Sequence, residues 1–425
     1  MKYNPSIHKL SNGVTVLLDP MDLETTNVKV QFSTGARDEN PNEYGLAHFC
    51  EHMLCKGTPR FPTQKFIDEY MDYHAGTKNA GTGMADIQFY GRILAENAGV
   101  LIDYLGDQIQ NSLFDTDKIE IERKVISDEL RRYLDSPAEQ LTAFSAQKLF
   151  GGATYSANRI IGTFENIASF TREQMLEFMS RRFSAGNCII GISGKIADAG
   201  KMLSDLDKAF GWLKPTDISE NSDIHYTPAI AHNSKLDKNN VKLRIYFPDI
   251  FEASYENRFM NMCVGKFERN LGKKLYEVVR RENGLVYGFS SSGIGNEKTG
   301  VSGFSTETAV GNLEKCVALV ARTAYKVYND NEITADDLER FNRKNKLADA
   351  DWMESAGRRC DKLISFYHNH GCLYDFYDTV RMSESITRDD VIENSRGYFA
   401  GPMSIITQGV DFDSDMKAVW EENFK

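Results

Sequence analysis

The chain has 425 residues and a mass of 48.1 kDa, a length that predicts about three domains of roughly 150 residues each. Hydrophobic residues make up 41% of the sequence and charged residues 26%, which is typical of globular rather than disordered or fibrous proteins. The net charge of -11 disfavours nucleic-acid phosphates as partners. The mean hydropathy of -0.43, without an apolar run of about 18 residues, disfavours a membrane-spanning protein.

The cysteines and the N-terminal residues indicate a compartment. The seven cysteines are scattered and form no CxxC pair, which is typical of free thiols in a reducing environment. The opening sequence MKYNPSIHKLSNG has neither the apolar core of a secretion signal nor an arginine-rich amphipathic pattern. We therefore expect a cytoplasmic protein, with an organelle matrix as the alternative if a presequence has been removed.

The first predicted strand, residues 14–18, is followed by a predicted helix at residues 45–55 that carries two of the chain's eight histidines. His48 and His52 are four residues apart, and Glu51 lies three residues after His48, so the three side chains share one helix face. Two imidazoles beside a carboxylate are the donor set that zinc hydrolases place around a reactive water. The HxxEH spacing therefore predicts a metal site, and a charged surface helix is the alternative.

A strand and a second helix follow the histidine motif. The segment from Asn79 onward is predicted to form a β-strand, because Ala85, Ile87 and Phe89 alternate with Asp86, Gln88 and Tyr90. In the predicted helix at residues 119–132, Glu122 and Glu129 are seven residues apart and lie on nearly one face.

Either glutamate of this helix is a candidate for the metal site. Glu129 suits the third ligand, and Glu122 suits a partner that orients a histidine. Glu120 and Asp128 compete for the same role, and spacing alone does not select Glu129.

Two segments of the chain repeat each other at a constant offset. Thr387 lies 216 residues after Thr171, and Phe399 lies 216 residues after Phe183. Each copy is predicted to form a threonine-capped helix, a Gly/Ala break and a buried strand. This long period predicts a duplication into two α/β domains, each an α+β layer sandwich, rather than a short-repeat solenoid.

The duplication sets the predicted domain boundaries. An N-terminal metal-bearing domain spans residues 1–213, a polar linker spans 214–230, and a homologous domain spans 231–425. The second domain opens with a predicted strand at 241–247. Farther on, a helix at 275–283 and a strand at 285–289 place Arg280 and Tyr287 on neighbouring elements.

Together these motifs resemble the inverted-motif zinc metallopeptidases that include pitrilysin, insulin-degrading enzyme and the mitochondrial processing peptidase. The matching segments occur in order over essentially the whole chain, and His52 and Glu129 have the family's spacing of 77 residues. The matching segments are GLAHFCEHML at 45–54, KGT at 56–58, NAGT at 79–82, IIGT at 160–163 and RRENGLVY at 280–287.

The resemblance implies one Zn²⁺ per chain, held by His48, His52 and Glu129, with Glu122 orienting a histidine. Glu51 would act as general base on the zinc-activated water.

The resemblance also implies roles for residues farther along the chain. Arg280 and Tyr287 would stabilise the charge on the carbonyl oxygen. The segment with Asn79, Ala80 and Thr82 would dock an extended peptide by backbone pairing. Relatives often carry an acidic residue and a threonine where this chain has Ala85 and Ile87, which weakens any transfer of side-chain specificity.

The family architecture is a clamshell chamber of which this chain would supply one half. We therefore expect a homodimer that degrades unstructured peptides, with basic peptides favoured by the acidic charge, and with Arg280 and Tyr287 acting in cis or across the dimer interface. A heterodimer with a related chain is the alternative assembly. A specific presequence-processing protease and a non-catalytic scaffold subunit are the alternative functions.

Overall fold

The computed structural model describes residues 3–151, 160–216, 225–235, 239–248, 257–295, 299–329, 332–400 and 402–425, and residues 217–224 of the predicted linker lie outside these ranges. The chain forms two compact units. Unit 1 comprises Met1–Ser136, Asn158–Ser222 and Asp349–Asp375, and unit 2 comprises Pro137–Ala157, Asp223–Ala348 and Phe376–Lys425. The predicted two-domain α+β fold is confirmed, and the sequence boundaries at 213 and 231 stay a prediction.

In the part of the chain that the structure describes, each unit contains one β-sheet. The strands of unit 1 are β1 (Ser6–Lys9), β2 (Thr15–Pro20), β3 (Thr25–Phe32), β4 (Thr77–Thr82), β5 (Ile87–Leu94) and β6 (Cys188–Gly194). Those of unit 2 are β7 (Ile230–Ser234), β8 (Asn240–Pro248), β9 (Ser290–Gly295), β10 (Gly300–Ala309) and β11 (Ser404–Gly409).

The helices cover the sheets and connect their strands. The α-helices of the described residues are α1 (Leu46–Leu54), α2 (Gln64–Tyr73), α3 (Ala98–Asn111), α4 (Thr116–Asp135), α5 (Pro137–Phe150), α6 (Phe164–Ser169), α7 (Arg172–Arg182), α8 (Ala199–Phe210), α9 (Arg258–Leu275), α10 (Leu313–Asn329), α11 (Ala335–Met353), α12 (Ala356–His370), α13 (Phe376–Ser385), α14 (Arg388–Ala400) and α15 (Met416–Asn423). Short 3₁₀ turns occur at Ala36–Asp38, Ala95–Asn97, Ala185–Asn187 and Val310–Asn312, and a π-helical segment at Tyr276–Glu282 continues α9. Among the described residues, no helix combines the length and apolar character that a membrane span requires.

Apart from β1, which has no counterpart in the described part of unit 2, the two sheets share one strand order, which supports the predicted duplication. In unit 1 the order is β1-β2-β6-β3-β5-β4, and in unit 2 it is β7-β11-β8-β10-β9. In unit 1, β6 pairs in parallel with β2 and antiparallel with β3. In unit 2, β11 pairs in the same way, in parallel with β7 and antiparallel with β8. Thr171 and Thr387 cap the equivalent helices α7 and α14 as predicted, since each hydroxyl accepts a hydrogen bond from a backbone N–H in the first turn.

One helix of each sequence half belongs to the unit formed mainly by the other half. Helix α12, from the C-terminal part of the chain, packs on the unit 1 sheet, where Cys360 and Ile364 lie against Leu17 and Ile189. The close approach requires Gly191, because a Cβ there would overlap the Ile364 side chain. Helix α5, from the N-terminal part, belongs to unit 2 in turn.

Two predicted strands differ from the structure. The segment 79–90 is a hairpin of β4 and β5 rather than one strand, and its turn contains Ala85. The predicted strand at 285–289 is wrong: Leu285 and Val286 are buried loop residues, and β9 begins at Ser290. The Leu285 N–H donates to the carbonyl of Val279, so it returns to the preceding helix instead of joining the sheet.

Candidate metal centre

Helix α1 is fixed at its N-terminus by a buried carboxylate and a close backbone contact. Both oxygens of Glu39 accept hydrogen bonds from the helix start, from the N–H of Gly45 at 2.9 Å and of Ala47 at 2.7 Å. These donors are orphan groups of the first turn, and the two oxygens of Glu39 satisfy their hydrogen bonds. Gly45 has a φ of 97°, and a Cβ there would overlap the carbonyl oxygen of Ile161.

Replacing Gly45 with alanine is therefore expected to lower the free energy of unfolding by about 2–4 kcal/mol, because strained backbone and steric overlap add. Gly13 is a matched control: its φ is 96°, and a Cβ there would meet no atom within 4 Å. Gly13→Ala should cost only about 1 kcal/mol, from the positive φ alone. Urea titrations of both variants test this, and equal losses would contradict the packing role of Gly45.

Three side chains from α1 and α4 converge on one point. His48 Nε2 lies 3.9 Å and His52 Nε2 lies 3.7 Å from Glu129 Oε2, and one donor atom of each residue lies within 4.8 Å of the others. Two ligand atoms of a tetrahedral zinc ion are separated by about 3.4 Å, from bonds of about 2.1 Å. Two imidazoles and one carboxylate are also a donor set of catalytic zinc sites. The residues present therefore fit a zinc ion.

The acidic side chains of helix α4 make different contacts. Glu129 faces the two histidines, whereas Glu122 Oε2 lies 2.9 Å from His52 Nδ1, on the other side of that ring. Glu120 and Asp128, which compete with Glu129 on spacing alone, are exposed and pair with the neighbouring Arg123 and Arg131.

The environment of the two imidazoles differs. Burial, with a smaller contribution from the charge of His52, lowers the pKa of His48 to about 3 and keeps its ring neutral. Burial also acts to lower the pKa of His52, but the hydrogen bond with Glu122 and nearby carboxylates outweigh it and raise that pKa. Glu122 anchors the His52 ring through Nδ1, while His48 Nδ1 has no hydrogen-bond partner among the described residues.

Glu51 lies on α1 between the two histidines and reaches β4. The Thr82 hydroxyl donates a hydrogen bond to Glu51 Oε2 at 3.4 Å. Burial is the largest influence on the Glu51 carboxyl and raises its pKa above the ordinary range. A carboxyl group with a raised pKa is a better proton acceptor at neutral pH, which suits a general base.

The convergent side chains open into a cleft of about 540 Å³. Its lining includes His48, His52, Glu51 and Glu129, together with the predicted substrate residues Asn79, Ala80 and Thr82 of β4. Strand β4 is the last strand at its side of the sheet and pairs only with β5 among the described strands. Its outer edge is therefore available to an added strand.

Arg280 and Tyr287 lie in unit 2 and line a separate cleft within that unit, of about 670 Å³. The Arg280 guanidinium stacks over the Tyr287 ring at 5.5 Å, and Tyr287 is 91% exposed. The structure thus brings these two residues together, on the π-helical segment and the loop after it.

Sequence patterns missed Lys56, whose Nζ lies 2.8 Å from Glu122 Oε1. Lys56 belongs to the KGT segment after α1, so its position beside the metal motif was visible, but its contact with α4 depends on the tertiary fold.

Two family models match the chain consecutively. The model described as insulinase, peptidase family M16, matches residues 15–166, and the model described as peptidase M16 inactive domain matches residues 169–344. The chain belongs to peptidase family M16. The first match covers the residues of the candidate metal centre.

Named relatives agree with this M16 assignment. The chain is 27% identical to an uncharacterized zinc protease of Rickettsia felis over 434 residues, covering 98% of this chain and 100% of the relative. It is 26% identical to an uncharacterized zinc protease of Bacillus subtilis, over 77% of this chain and 79% of the relative. It is 30% identical to the β subunit of the mitochondrial-processing peptidase of Dictyostelium discoideum, over 52% of this chain and 47% of the relative.

Solved structures show the same fold. A peptidase M16 inactive domain from Pseudomonas fluorescens has a TM-score of 0.85 at 17% identity, covering 97% of this chain and all of that chain. A protease from Helicobacter pylori has a TM-score of 0.81 at 18% identity, covering 96% of this chain and all of that chain.

The second M16 unit does not repeat the metal donors. Helix α9 (Arg258–Leu275), the first described helix after β8 in unit 2, contains no histidine. Val264 and Phe267 are buried in the hydrophobic core of unit 2. Within the described residues, the one group of metal-donor side chains found is that of unit 1.

Proposed function

We propose that the chain is a zinc-dependent metalloendopeptidase that hydrolyses unstructured peptides. One observation carries the proposal: a zinc-type donor set, His48, His52 and Glu129, lies with the buried Glu51 in one cleft beside an open strand edge. A non-catalytic scaffold subunit would not require all four side chains, and their retention favours the enzyme.

The edge of β4 supports the substrate class. A peptide that adds a strand there must be extended, and backbone pairing tolerates many sequences. Thr82 links this strand to Glu51, so a peptide paired with β4 would pass beside the catalytic carboxylate. Folded proteins cannot present such a segment, so unstructured chains are the proposed substrates. The net charge of -11 favours basic ones.

The chemistry follows from the positions of the side chains. Zinc, when bound by His48, His52 and Glu129, supplies a Lewis acid that polarises the substrate carbonyl and lowers the pKa of water to about 7. Glu51 accepts a proton from the attacking water and returns it to the leaving amine. Thr82 holds the Glu51 carboxylate in place during this transfer.

We propose that Arg280 and Tyr287 complete the site by donating hydrogen bonds to the carbonyl oxygen as it gains charge. A homodimer forming a chamber would let them act on the site of a second copy, and a heterodimer with a related chain is the alternative. The exposure of Tyr287, at 91%, is consistent with a residue that meets a partner or substrate. A fully active monomer would contradict the trans arrangement.

Specific processing of presequences is a second candidate function. It is favoured by the similarity to a relative named as a mitochondrial-processing peptidase β subunit. The two candidates differ in the breadth of cleavage: a degrading enzyme cleaves many peptides of a mixed library, whereas a processing enzyme cleaves few at defined positions.

Replacing Glu51 with glutamine tests the proposed function. The variant keeps the size of the side chain but loses its proton acceptor, so we expect peptide hydrolysis to fall by about 10²–10⁴-fold with bound zinc retained. Wild type and variant are incubated with a mixed peptide library, cleavage is followed by mass spectrometry, and zinc is quantified in both. Equal cleavage by both proteins would refute the mechanism, and an inert, zinc-free wild type would favour the scaffold.

A further inference from the structure

Lys56, Glu122 and His52 form a line of polar contacts that ends at the metal centre. Lys56 Nζ lies 2.8 Å from Glu122 Oε1, and His52 Nδ1 lies 2.9 Å from Glu122 Oε2. The Glu122 side chain is 5% exposed, so almost no water reaches it. A buried carboxylate is stable only when paired, and here a cation occupies one oxygen and an imidazole the other.

The line of contacts determines which nitrogen of His52 faces the metal ligands. The Lys56 ammonium can only donate hydrogen bonds, so its 2.8 Å contact with Glu122 Oε1 favours the ionised carboxylate at this position. An ionised carboxylate only accepts hydrogen bonds, so Nδ1 of His52 must carry the proton it donates. Nε2 then presents its lone pair on the side of Glu129, as a metal ligand requires.

We propose that Lys56 is a positioning residue of the metal site: it holds Glu122, which in turn fixes the ring orientation and tautomer of His52. This inference rests on the zinc site of the proposed function. Lys56 also offsets one of three carboxylates around the site, those of Glu51, Glu122 and Glu129.

A purely electrostatic effect of Lys56 and a positioning role predict opposite changes in zinc affinity when Lys56 is removed. Lys56 is a cation near the site, so by charge alone its removal would reduce repulsion of Zn²⁺ and tighten binding. If Lys56 acts through Glu122, its removal leaves that carboxylate unpaired on one side and loosens His52, which weakens binding. The direction of the change therefore separates the two mechanisms.

The experiment measures zinc dissociation constants of the full-length protein by competition with a chromophoric chelator. Lys56→Met is expected to weaken zinc binding by about 10-fold, the lower end of the effect of losing a residue that contacts a metal ligand directly, because Lys56 acts through Glu122. Lys56→Arg should restore most of the affinity, because a guanidinium can pair with the same carboxylate. Lys78→Met is the matched control, since Lys78 lines the same cleft but pairs with Asp68 at 3.1 Å. The zinc affinity of this variant should stay within about 3-fold of that of wild type.

A double-mutant cycle with Glu122→Gln identifies the route. If Lys56 acts through Glu122, adding Lys56→Met to Glu122→Gln should produce no further weakening. Tighter or unchanged zinc binding in Lys56→Met, or a full additional loss in the double variant, would overturn the proposal. Circular dichroism of the metal-free variants confirms that they are folded. Because zinc affinity is measured without substrate, an absence of peptide hydrolysis would refute the proposed function and leave this result intact.

Discussion

Glu129→Ala is expected to weaken zinc binding by more than about 100-fold and to abolish measurable peptide hydrolysis. Glu129 provides the one carboxylate oxygen that lies within 4 Å of both His48 Nε2 and His52 Nε2 among the described residues. Losing an outer partner of a ligand already costs about 10–100-fold, so losing a ligand itself should exceed that range. Equilibrium dialysis against zinc buffers measures the affinity.

Two neighbouring substitutions on α4 control for the charge of the helix. Asp128→Ala and Glu120→Ala also each remove one carboxylate, but these side chains are 68% and 64% exposed and pair with arginines at the surface. Both variants should keep wild-type zinc affinity within about 3-fold, since exposed ion pairs contribute little. Zinc affinity reduced equally in all three variants would contradict the assignment of Glu129.

Arg359→Met should lower the free energy of unfolding by about 3–5 kcal/mol. Arg359 on α12 and Asp19 on β2 are both fully buried, and the guanidinium binds the carboxylate through two nitrogens. Removing the arginine leaves a buried carboxylate without its cation. Urea-induced unfolding followed by circular dichroism measures the change.

The same helix supplies the control for this prediction. Asp361 pairs with Lys29 at 2.5 Å but is 60% exposed, so Asp361→Asn should cost no more than about 1 kcal/mol. The double variant Asp19→Leu/Arg359→Met should recover much of the stability, because apolar residues can replace a buried ion pair. A loss no larger in Arg359→Met than in Asp361→Asn would show that α12 does not depend on the buried pair.

The metal motif was predictable because its residues are close in sequence. His48, Glu51 and His52 share one face of a nine-residue helix, so helical periodicity alone brings them together. The third donor was not predictable from spacing, since α4 carries several acidic side chains. Glu129 faces Nε2 of both histidines, whereas Glu122 contacts Nδ1 of His52, and this difference depends on the tertiary packing of α4 on α1.

Errors in predicted strands have local physical causes. The alternation of residues 85–90 begins inside the turn of the β4–β5 hairpin, where the Gly83 N–H donates to the Asp86 carbonyl, so the pattern does not mark where β5 begins. Leu285 and Val286 pack into the core as loop residues. Because a buried loop is as apolar as a buried strand, the composition of this segment wrongly predicted a strand.

Sequence patterns did not predict which unit helices α5 and α12 belong to. Each helix comes from one half of the sequence but belongs to the unit formed mainly by the other half. An amphipathic helix shows that one face is buried but not which sheet buries it. Contacts such as Arg359 with Asp19, which are 340 residues apart, are visible only in the structure.

We expect one zinc ion per chain, held in unit 1, to enable Glu51 to cleave peptides. Titrating metal-free protein with zinc while recording hydrolysis of a fluorogenic unstructured peptide measures this dependence. Activity should rise linearly to one equivalent of zinc per chain and then stay constant, while Glu51→Gln should bind the same equivalent without cleaving the peptide. Full activity of the metal-free protein, or zinc binding at one equivalent without hydrolysis of any library peptide by wild type, would contradict this expectation.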